Sequence, residues 1–208
     1  MSQFALPLSQ GPGREPARIV VGNANEAAVE ALSSPSGWPF RTAILSGPPR
    51  SGRSLLARWF AAQGGREVVD DADTLDETDL FHRWNRAQES GDALLLVTGA
   101  ERWDIALPNL RSRIGAALPL QIGVPDDAMV AALIESHAEQ AGLALGEGAL
   151  TYLVPRVTRS FAGIETLVAE IDRLSLERKS AATMSLWREA LEAVSDAEAG
   201  AERQPRLI

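Results

Sequence analysis

The sequence predicts an α/β domain with a parallel sheet, followed by a small all-helical domain. Two short apolar runs, 42–46 and 93–98, have the continuous hydrophobic character of strands buried in a parallel sheet. Segments with helical spacing of apolar residues alternate with such runs. After Asp126 only helical patterns follow. Alternation of strands and helices that gives way to a series of helices favours an α/β core with a helical appendage.

The elements of the α/β part follow from the spacing of their apolar residues. The third helix has Leu80, Phe81 and Trp84 on one face, which is typical of packing against a sheet. The predicted strands are 42–46, 67–70, 93–98 and 118–124, and a short apolar segment, 18–22, precedes the first helix. The predicted helices are 25–32, 54–63 and 79–89.

The remainder of the chain contains helices and two polar ends. Residues 1–17 are rich in proline and glycine, which predicts an extended arm. The last residues are mostly alanine, glutamate and arginine with little to bury, which predicts a disordered tail. The predicted helices are 126–141, 148–157, 162–177 and 185–194. The predicted domains are an arm (1–17), an α/β domain (18–125), a helical lid (126–195) and a tail (196–208).

The composition excludes several classes of protein. The 208 residues include no cysteine, so disulfide frameworks and thiolate metal sites are excluded. The net charge of −8 disfavours a protein that binds DNA mainly through its phosphates. The sequence has neither the pattern of a signal peptide nor an apolar run of about 20 residues. We therefore expect a cytoplasmic protein without a membrane segment.

The segment between the first buried strand and the next helix has the pattern of a phosphate-binding loop. The pattern G-x-x-x-x-G-K-[ST] is met by Gly47, Gly52 and Ser54, with Arg53 in place of lysine. The glycines let backbone N–H groups face a phosphate, and the serine hydroxyl can ligate Mg²⁺. The candidate nucleotide-binding residues here are Gly47, Pro48, Pro49, Arg50, Ser51, Gly52, Arg53, Ser54 and Leu55. Alternatively, the segment is a strand–helix turn that binds nothing.

Arginine in place of lysine changes the expected chemistry of the loop. Lysine is a compact point charge, whereas the guanidinium of Arg53 is a wide planar fork. Arginine neutralises phosphate as well, but it fits less well between neighbouring phosphates. We therefore expect nucleotide binding to persist better than hydrolysis.

Polar residues follow the next two strands of the predicted sheet. Asp70 is a candidate for holding Mg²⁺ through water, and Asp71 stands where a water-activating acid belongs. Thr98 closes the most apolar strand and is a candidate for orienting water or a terminal phosphate. Acids at strand ends are often only solvated, and Thr98 could simply form strand-end hydrogen bonds, so both alternatives stay open.

Taken in order, these motifs resemble the DnaA-related AAA+ proteins, and most closely the Hda-type regulators of replication initiation. The resemblance adds two further segments, Ile19-Val-Val-Gly-Asn23 and Leu110-Arg-Ser-Arg-Ile114, and the pair Pro125-Asp126. It covers about residues 15–194. It implies a P-loop AAA+ core with a parallel sheet of about four to five strands and a helical lid. It also implies ADP or ATP with Mg²⁺ as cofactors.

The resemblance assigns roles to further residues. Val20, Val21 and Asn23 would line the adenine pocket. Arg113 would be an arginine finger that acts in trans on the nucleotide of a neighbouring protein, where its charge stabilises the transition state. A surface salt bridge is the alternative role for Arg113.

The N-terminal arm contains a second feature of these regulators. The segment Gln3-Phe-Ala-Leu-Pro-Leu8 resembles the peptide with which they bind the DNA polymerase sliding clamp. In such a peptide, Leu6 and Leu8 enter an apolar cleft, Gln3 forms hydrogen bonds and Pro7 limits the cost of ordering. The implied partners are the sliding clamp and DnaA.

Three departures from the family pattern bear on activity. The stretch between the loop helix and Asp70 is too short for the additional strand and helix of the family, so the core is trimmed. The family's sensor arginine aligns with Ala162, with Arg159 nearby but out of register. The helix-turn-helix DNA-binding domain of DnaA has no counterpart here, so no direct DNA-binding domain is expected.

The resulting hypothesis is an Hda-like regulator that binds adenine nucleotide and the clamp and stimulates ATP hydrolysis by DnaA. The alternative is a DnaA-like adaptor or helicase-loading factor that binds partners without activating an ATPase. An autonomous ATPase is a third hypothesis, which Arg53, Asp71 and Ala162 disfavour. The choice between ADP and ATP, and a possible homodimer, stay open.

Overall fold

The structure is a computed structural model that describes residues 5–6, 19–64, 66–100 and 103–203. The chain divides into two compact units, Met1–Gly123 and Val124–Ile208. Its strands are β1 (Ala5–Leu6), β2 (Ile19–Val20), β3 (Thr42–Ser46), β4 (Arg66–Val69), β5 (Ala93–Val97) and β6 (Leu118–Gln121). Its helices are α1 (Glu26–Ser33), α2 (Arg53–Ala61), α3 (Glu77–Ser90), α4 (Pro108–Gly115), α5 (Asp127–Ala141), α6 (Ala149–Leu153), α7 (Phe161–Arg178) and α8 (Met184–Arg203).

A four-stranded parallel sheet with the order β4-β5-β3-β6 forms the centre of the first unit. Every residue of β5 is buried, because β5 has a neighbouring strand on both sides and packs against α2 and α3. Pro119 lies in β6, where a missing N–H is tolerated because β6 is an edge strand. The sheet confirms the predicted parallel α/β fold, and the helices of the second unit confirm the predicted helical region.

Apolar side chains of α3 and α4 pack on the buried residues of the sheet. Leu80 and Trp84 of α3 and Leu110 of α4 contribute to this cluster. Its other buried members are Val69, Ala72, Ala87, Leu94, Leu96, Ile105 and Ile114. The cluster therefore fixes the position of α4, which the sequence analysis left without an assigned element.

The second unit consists of helices, of which α7 packs against α5 and α8. The side chain of Asp126 caps α5 by accepting from the N–H of Met129 at 2.8 Å, and Ser160 caps α7 at Gly163 in the same way. Helix α8 extends to Arg203, so the backbone is helical in part of the segment that was predicted as a disordered tail. Burial lowers the pKa of His137 on α5, and the charge of Glu165 opposes that effect.

Among the described residues, none of the helices combines the length and the hydrophobicity that a crossing of the bilayer requires.

Candidate nucleotide-binding site

The predicted phosphate loop lies at the carboxyl end of β3, between the ends of β5 and β6. In a parallel sheet the carboxyl ends of all strands meet at one edge, where ligands commonly bind. The loop leads directly into α2, whose first residue is Arg53. The backbone N–H groups of the loop and of the first turn of α2 are therefore the first candidates for binding a phosphate.

Gly47 lies in a gap that a larger residue would overfill. A Cβ atom on Gly47 would stand 2.8 Å from the Cβ of Ile122 and 3.1 Å from the Oγ of Ser51. Ile122 is buried and donates its N–H to the carbonyl of Ser46 at 2.8 Å. The close approach of Ile122 thus gives a steric reason for glycine at the start of the loop.

Ser51 has a buried hydroxyl for which the described residues offer no hydrogen-bond partner. Its N–H donates to the carbonyl of Pro48 at 3.3 Å, which folds the loop back on itself. A buried hydroxyl without a partner is costly, and in a loop of this shape a bound anion can supply the partner. The unpartnered Oγ of Ser51 is therefore the feature of the loop that fits a bound anion such as a phosphate.

Two loop residues adopt left-handed backbone conformations. Gly52 has φ of 83° and immediately precedes α2, where glycine avoids the strain of a Cβ atom. Arg50 has φ of 63°, a conformation that is uncommon for arginine. The remaining predicted loop residues, Pro48, Pro49, Ser54 and Leu55, are exposed or half-buried.

The predicted adenine-pocket segment lies beside the loop. Val21 is buried, Val20 is half-buried and Asn23 is exposed. The N–H of Gly123, just after β6, donates to the carbonyl of Ala24 at 2.8 Å. Since Ile122 packs against Gly47, residues 122–123 connect this segment to the phosphate loop.

Asn25 holds the same segment in shape, although the sequence analysis did not single it out. Its Nδ2 donates to the carbonyl of Val20 at 2.9 Å, and its Oδ1 accepts from the N–H of Gly22 at 2.9 Å. Asn25 is only 3% exposed, so both bonds are shielded from water. The sequence signal for this role is an asparagine just before α1, because its amide can both donate and accept hydrogen bonds.

Arg53 reaches from the loop to the end of β5. Its Nη1 donates to the carbonyl of Thr98, and a Cβ atom on Gly99 would lie 3.3 Å from that nitrogen. Thr98 is buried, and its Oγ1 accepts from the N–H of Ala100 at 3.1 Å. The structure therefore brings two predicted site residues, Arg53 and Thr98, into direct contact.

The acidic residues lie farther along the same edge. Asp70 and Asp71 follow β4 and are exposed, and β5 separates β4 from the loop strand. Asp71 has a left-handed φ of 49°. Asp73, which was not among the predicted site residues, reaches the segment just after β5, where its Oδ1 accepts from the N–H of Gly99 at 3.3 Å.

A protein-only metal site is not present in the described parts of the chain, because they contain no cluster of three potential acidic, histidine or cysteine ligands. Mg²⁺ commonly keeps several waters and binds through one or two protein ligands together with phosphates. Ser54 and Asp70 are therefore candidates for a magnesium ion that a nucleotide helps to hold.

Arg113 is near none of these groups. It lies on α4 and its guanidinium contacts Phe81, Trp84 and Asn85 of α3. Arg159, the residue near the family's sensor position, forms a 2.5 Å ion pair with Asp127 in the second unit. Both arginines thus have intramolecular partners.

Of the predicted clamp-binding residues, Gln3, Pro7 and Leu8 lie outside the described residues. Leu6 belongs to β1, which pairs antiparallel with β2 so that Leu6 is opposite Ile19 and Ala5 is opposite Val20. Part of the predicted arm is therefore a strand beside the segment assigned to the adenine pocket.

Replacing Gly47 by alanine is expected to destabilise the protein by about 1–3 kcal/mol, because the new methyl group overpacks against Ile122. The free energy of unfolding from urea titration is the measurement. Gly37→Ala is the matched control, since a Cβ atom there would meet nothing within 4 Å. Equal stability of the two variants would contradict the close approach.

The fold has counterparts among solved structures. Domain III of the replication initiation protein DnaA from Thermotoga maritima has a TM-score of 0.69 at 15% identity, covering 84% of this chain and 93% of that chain. AMPPCP-bound DnaA from Aquifex aeolicus has a TM-score of 0.58 at 19% identity, covering 76% of this chain and 65% of that chain. No model of a known protein family matches the sequence.

A second group of similar structures is represented by the RuvB Holliday junction branch migration motor of Thermotoga maritima. Its TM-score is 0.54 at 16% identity, and the match covers 82% of this chain and 65% of that chain. This chain thus spans about two thirds of the length of the RuvB chain and of the Aquifex DnaA chain. The chain has the fold of the AAA+ ATPases, a P-loop core followed by a helical region, as in DnaA domain III.

Proposed function

We propose that the chain is a nucleotide-binding regulator of replication initiation, which docks on the sliding clamp and stimulates ATP hydrolysis by DnaA. The observation that carries the proposal is the loop from Gly47 to Ser54, with its orphaned hydroxyl at Ser51, on a fold similar to DnaA domain III. The similar DnaA structures with bound AMPPCP support an adenine nucleotide as the ligand.

The residues of this chain suit binding better than turnover. Backbone N–H groups of the loop and the guanidinium of Arg53 would hold the phosphates, and Val20, Val21 and Asn23 would flank the base. When bound, the nucleotide with its Mg²⁺ supplies a phosphoanhydride that water can attack. Asp71 is exposed at an edge strand, which argues against an efficient water-activating role. The bound nucleotide would therefore serve mainly to fix the shape of the site.

Arg53→Ala is expected to weaken ADP and ATP binding by about 10- to 100-fold, because it removes a charged hydrogen-bond donor from the site. Arg53→Lys keeps the charge and should retain most of the affinity. Titration calorimetry with and without Mg²⁺ is the measurement. The matched control is Arg58→Ala, which removes an exposed arginine farther along α2. Wild-type affinity in Arg53→Ala would show that Arg53 does not bind phosphate.

The regulatory part of the proposal rests on Arg113 and on the clamp-like peptide at Gln3 to Leu8. Its test is the rate of ATP hydrolysis by DnaA in the presence of the chain and of clamp loaded on DNA. The proposal is supported if the chain binds the clamp and raises this rate. It is contradicted if the chain binds the clamp and the rate stays unchanged.

A second candidate function is a binding module that recruits partners without activating an ATPase. The contacts of Arg113 with its own chain favour this candidate, because a residue held by α3 can be purely structural. Clamp binding together with an unstimulated DnaA would be its signature.

A further inference from the structure

The guanidinium of Arg113 lies in a cage formed by three side chains of α3: Phe81, Trp84 and Asn85. Its Cζ atom is 4.2 Å from the ring centroid of Phe81 and 4.3 Å from that of Trp84. Its Nη1 donates to the Oδ1 of Asn85 at 2.9 Å. Both ring distances are well within the about 6 Å at which a cation is attracted to an aromatic face.

The cage is built on one face of one helix. Positions 81, 84 and 85 are spaced by three and four residues, so they share a face of α3. Trp84 is 9% exposed and belongs to the buried cluster, whereas Phe81, Asn85 and Arg113 are half-buried. The base of the cage is therefore fixed by the core, and its opening reaches solvent.

The contacts restrict the guanidinium but leave most of its donors available. Aromatic rings attract the cation through their π-faces, which uses none of its N–H groups. A guanidinium has five N–H donors, and in the described contacts Asn85 accepts one. The remaining donors are available to a planar or tetrahedral oxyanion.

The cage also leaves the positive charge unneutralised. The amide of Asn85 accepts a hydrogen bond without carrying a negative charge. By contrast, Arg173 on α7 pairs with the carboxylates of Glu170 and Glu177. Among the described ion pairs, none includes Arg113. A charge held in place without a counter-ion is suited to an anionic group of another molecule.

We propose that Phe81, Trp84 and Asn85 are positioning residues that hold Arg113 ready to contact a phosphate bound by a partner protein. The inference rests on the proposed function, in which that phosphate belongs to ATP on DnaA. Ordering a free arginine side chain on contact is unfavourable, since its rotamer freedom is lost. The cage removes that freedom before contact. Because the contact is made mainly to charge that develops in the transition state, the gain is expected in the maximal rate.

The first test uses the chain alone and needs no partner. The ¹⁵N order parameter of the Arg113 Nε–H group is expected to be high in the wild type and lower in Phe81→Leu and Asn85→Ala. Phe81→Tyr keeps the ring and should restore the order. The exposed side chain of Arg86, also on α3, is the internal reference. If Arg113 were as mobile as Arg86 in the wild type, the cage would have no positioning role.

The second test measures the maximal rate of ATP hydrolysis by DnaA, with clamp on DNA, and the chain concentration that gives half of it. Phe81→Leu and Asn85→Ala are expected to lower the maximal rate about three- to tenfold with the half-saturating concentration unchanged. Asn85→Asp should keep Arg113 ordered yet lower the rate, because its carboxylate neutralises the guanidinium. Arg86→Ala is the matched control.

The outcomes separate the cage from the proposed function. If Arg113→Ala abolishes stimulation while Phe81→Leu and Asn85→Ala do not lower it, the cage proposal is overturned and the proposed function stands. If Arg113→Ala itself leaves stimulation intact, the proposed role of Arg113 is wrong, and with it the purpose of the cage. A raised rate in Asn85→Ala would mean that the cage restrains Arg113, which also overturns the proposal.

Discussion

Arg113→Ala is expected to lower the clamp-dependent stimulation of ATP hydrolysis by DnaA by about 10³-fold, the effect typical of removing an arginine finger. An alanine has no donor for the charge that develops on the transferred phosphoryl group. Lysine should restore little, because a single ammonium cannot replace the planar fork or stack between Phe81 and Trp84 in the same way. The measurement is phosphate release from ATP-bound DnaA at saturating chain and clamp.

The matched control for this prediction is Arg111→Ala. Arg111 is an exposed arginine two residues away on α4, and its Nε donates to the carbonyl of Ile105 at 2.7 Å. We expect at most a small loss of stimulation. Clamp binding and the thermal midpoint of each variant show whether the chain is still folded. Equal losses in the two variants would point to damage of α4 and not to a specific role of Arg113.

Phe60→Ala is expected to destabilise the protein by about 3–5 kcal/mol, the usual cost of removing a buried aromatic ring. Phe60 is fully buried on α2, and its ring stacks on that of Trp38 with centroids 5.3 Å apart. The guanidinium of Arg66, a residue of β4, lies 4.7 Å from the centroid of the Phe60 ring. The truncation leaves a cavity behind the helix that follows the phosphate loop. The free energy of unfolding in urea is the measurement.

Phe40→Ala is the control that matches the side chain but not its burial. Phe40 is 58% exposed, so its removal should change the unfolding free energy by less than about 0.5 kcal/mol. The expected difference of several kcal/mol between the two variants depends only on packing. A cost below about 1 kcal/mol for Phe60→Ala would mean that the core closes around the missing ring.

The fold was predictable because its signals are local. The two central strands carry continuous apolar runs, and such runs are buried in parallel sheets whatever the details of their neighbours. Pro119 was compatible with a strand only at an edge, where β6 lies. Helix α4 was missed although Pro108 stands at its first turn and Leu110 and Ile114 are four residues apart. These two buried residues are separated by the polar stretch 111–113, which is too weak a pattern to define a helical period.

The candidate site was predictable only in part. The glycine-rich pattern fixed the position of the loop, because close backbone approach and positive φ both require glycine at given places. Asn25 and Asp73 were missed because their partners are set by folding: Asn25 closes a turn, and Asp73 reaches Gly99 across the end of the sheet. A side-chain hydrogen bond to a distant backbone group leaves no periodic trace in the sequence.

The sequence by itself determined the four strands of the parallel sheet, most of the helices and the candidate phosphate loop, and it singled out Arg53 and Arg113 as candidate functional residues. The tertiary structure alone decided what these arginines contact. Arg53 meets the carbonyl of Thr98, and Arg113 meets Phe81, Trp84 and Asn85, across separations of 28 to 45 residues. The reason is physical: glycine patterns and apolar periods act within one element, whereas the environment of a long charged side chain depends on which elements pack together.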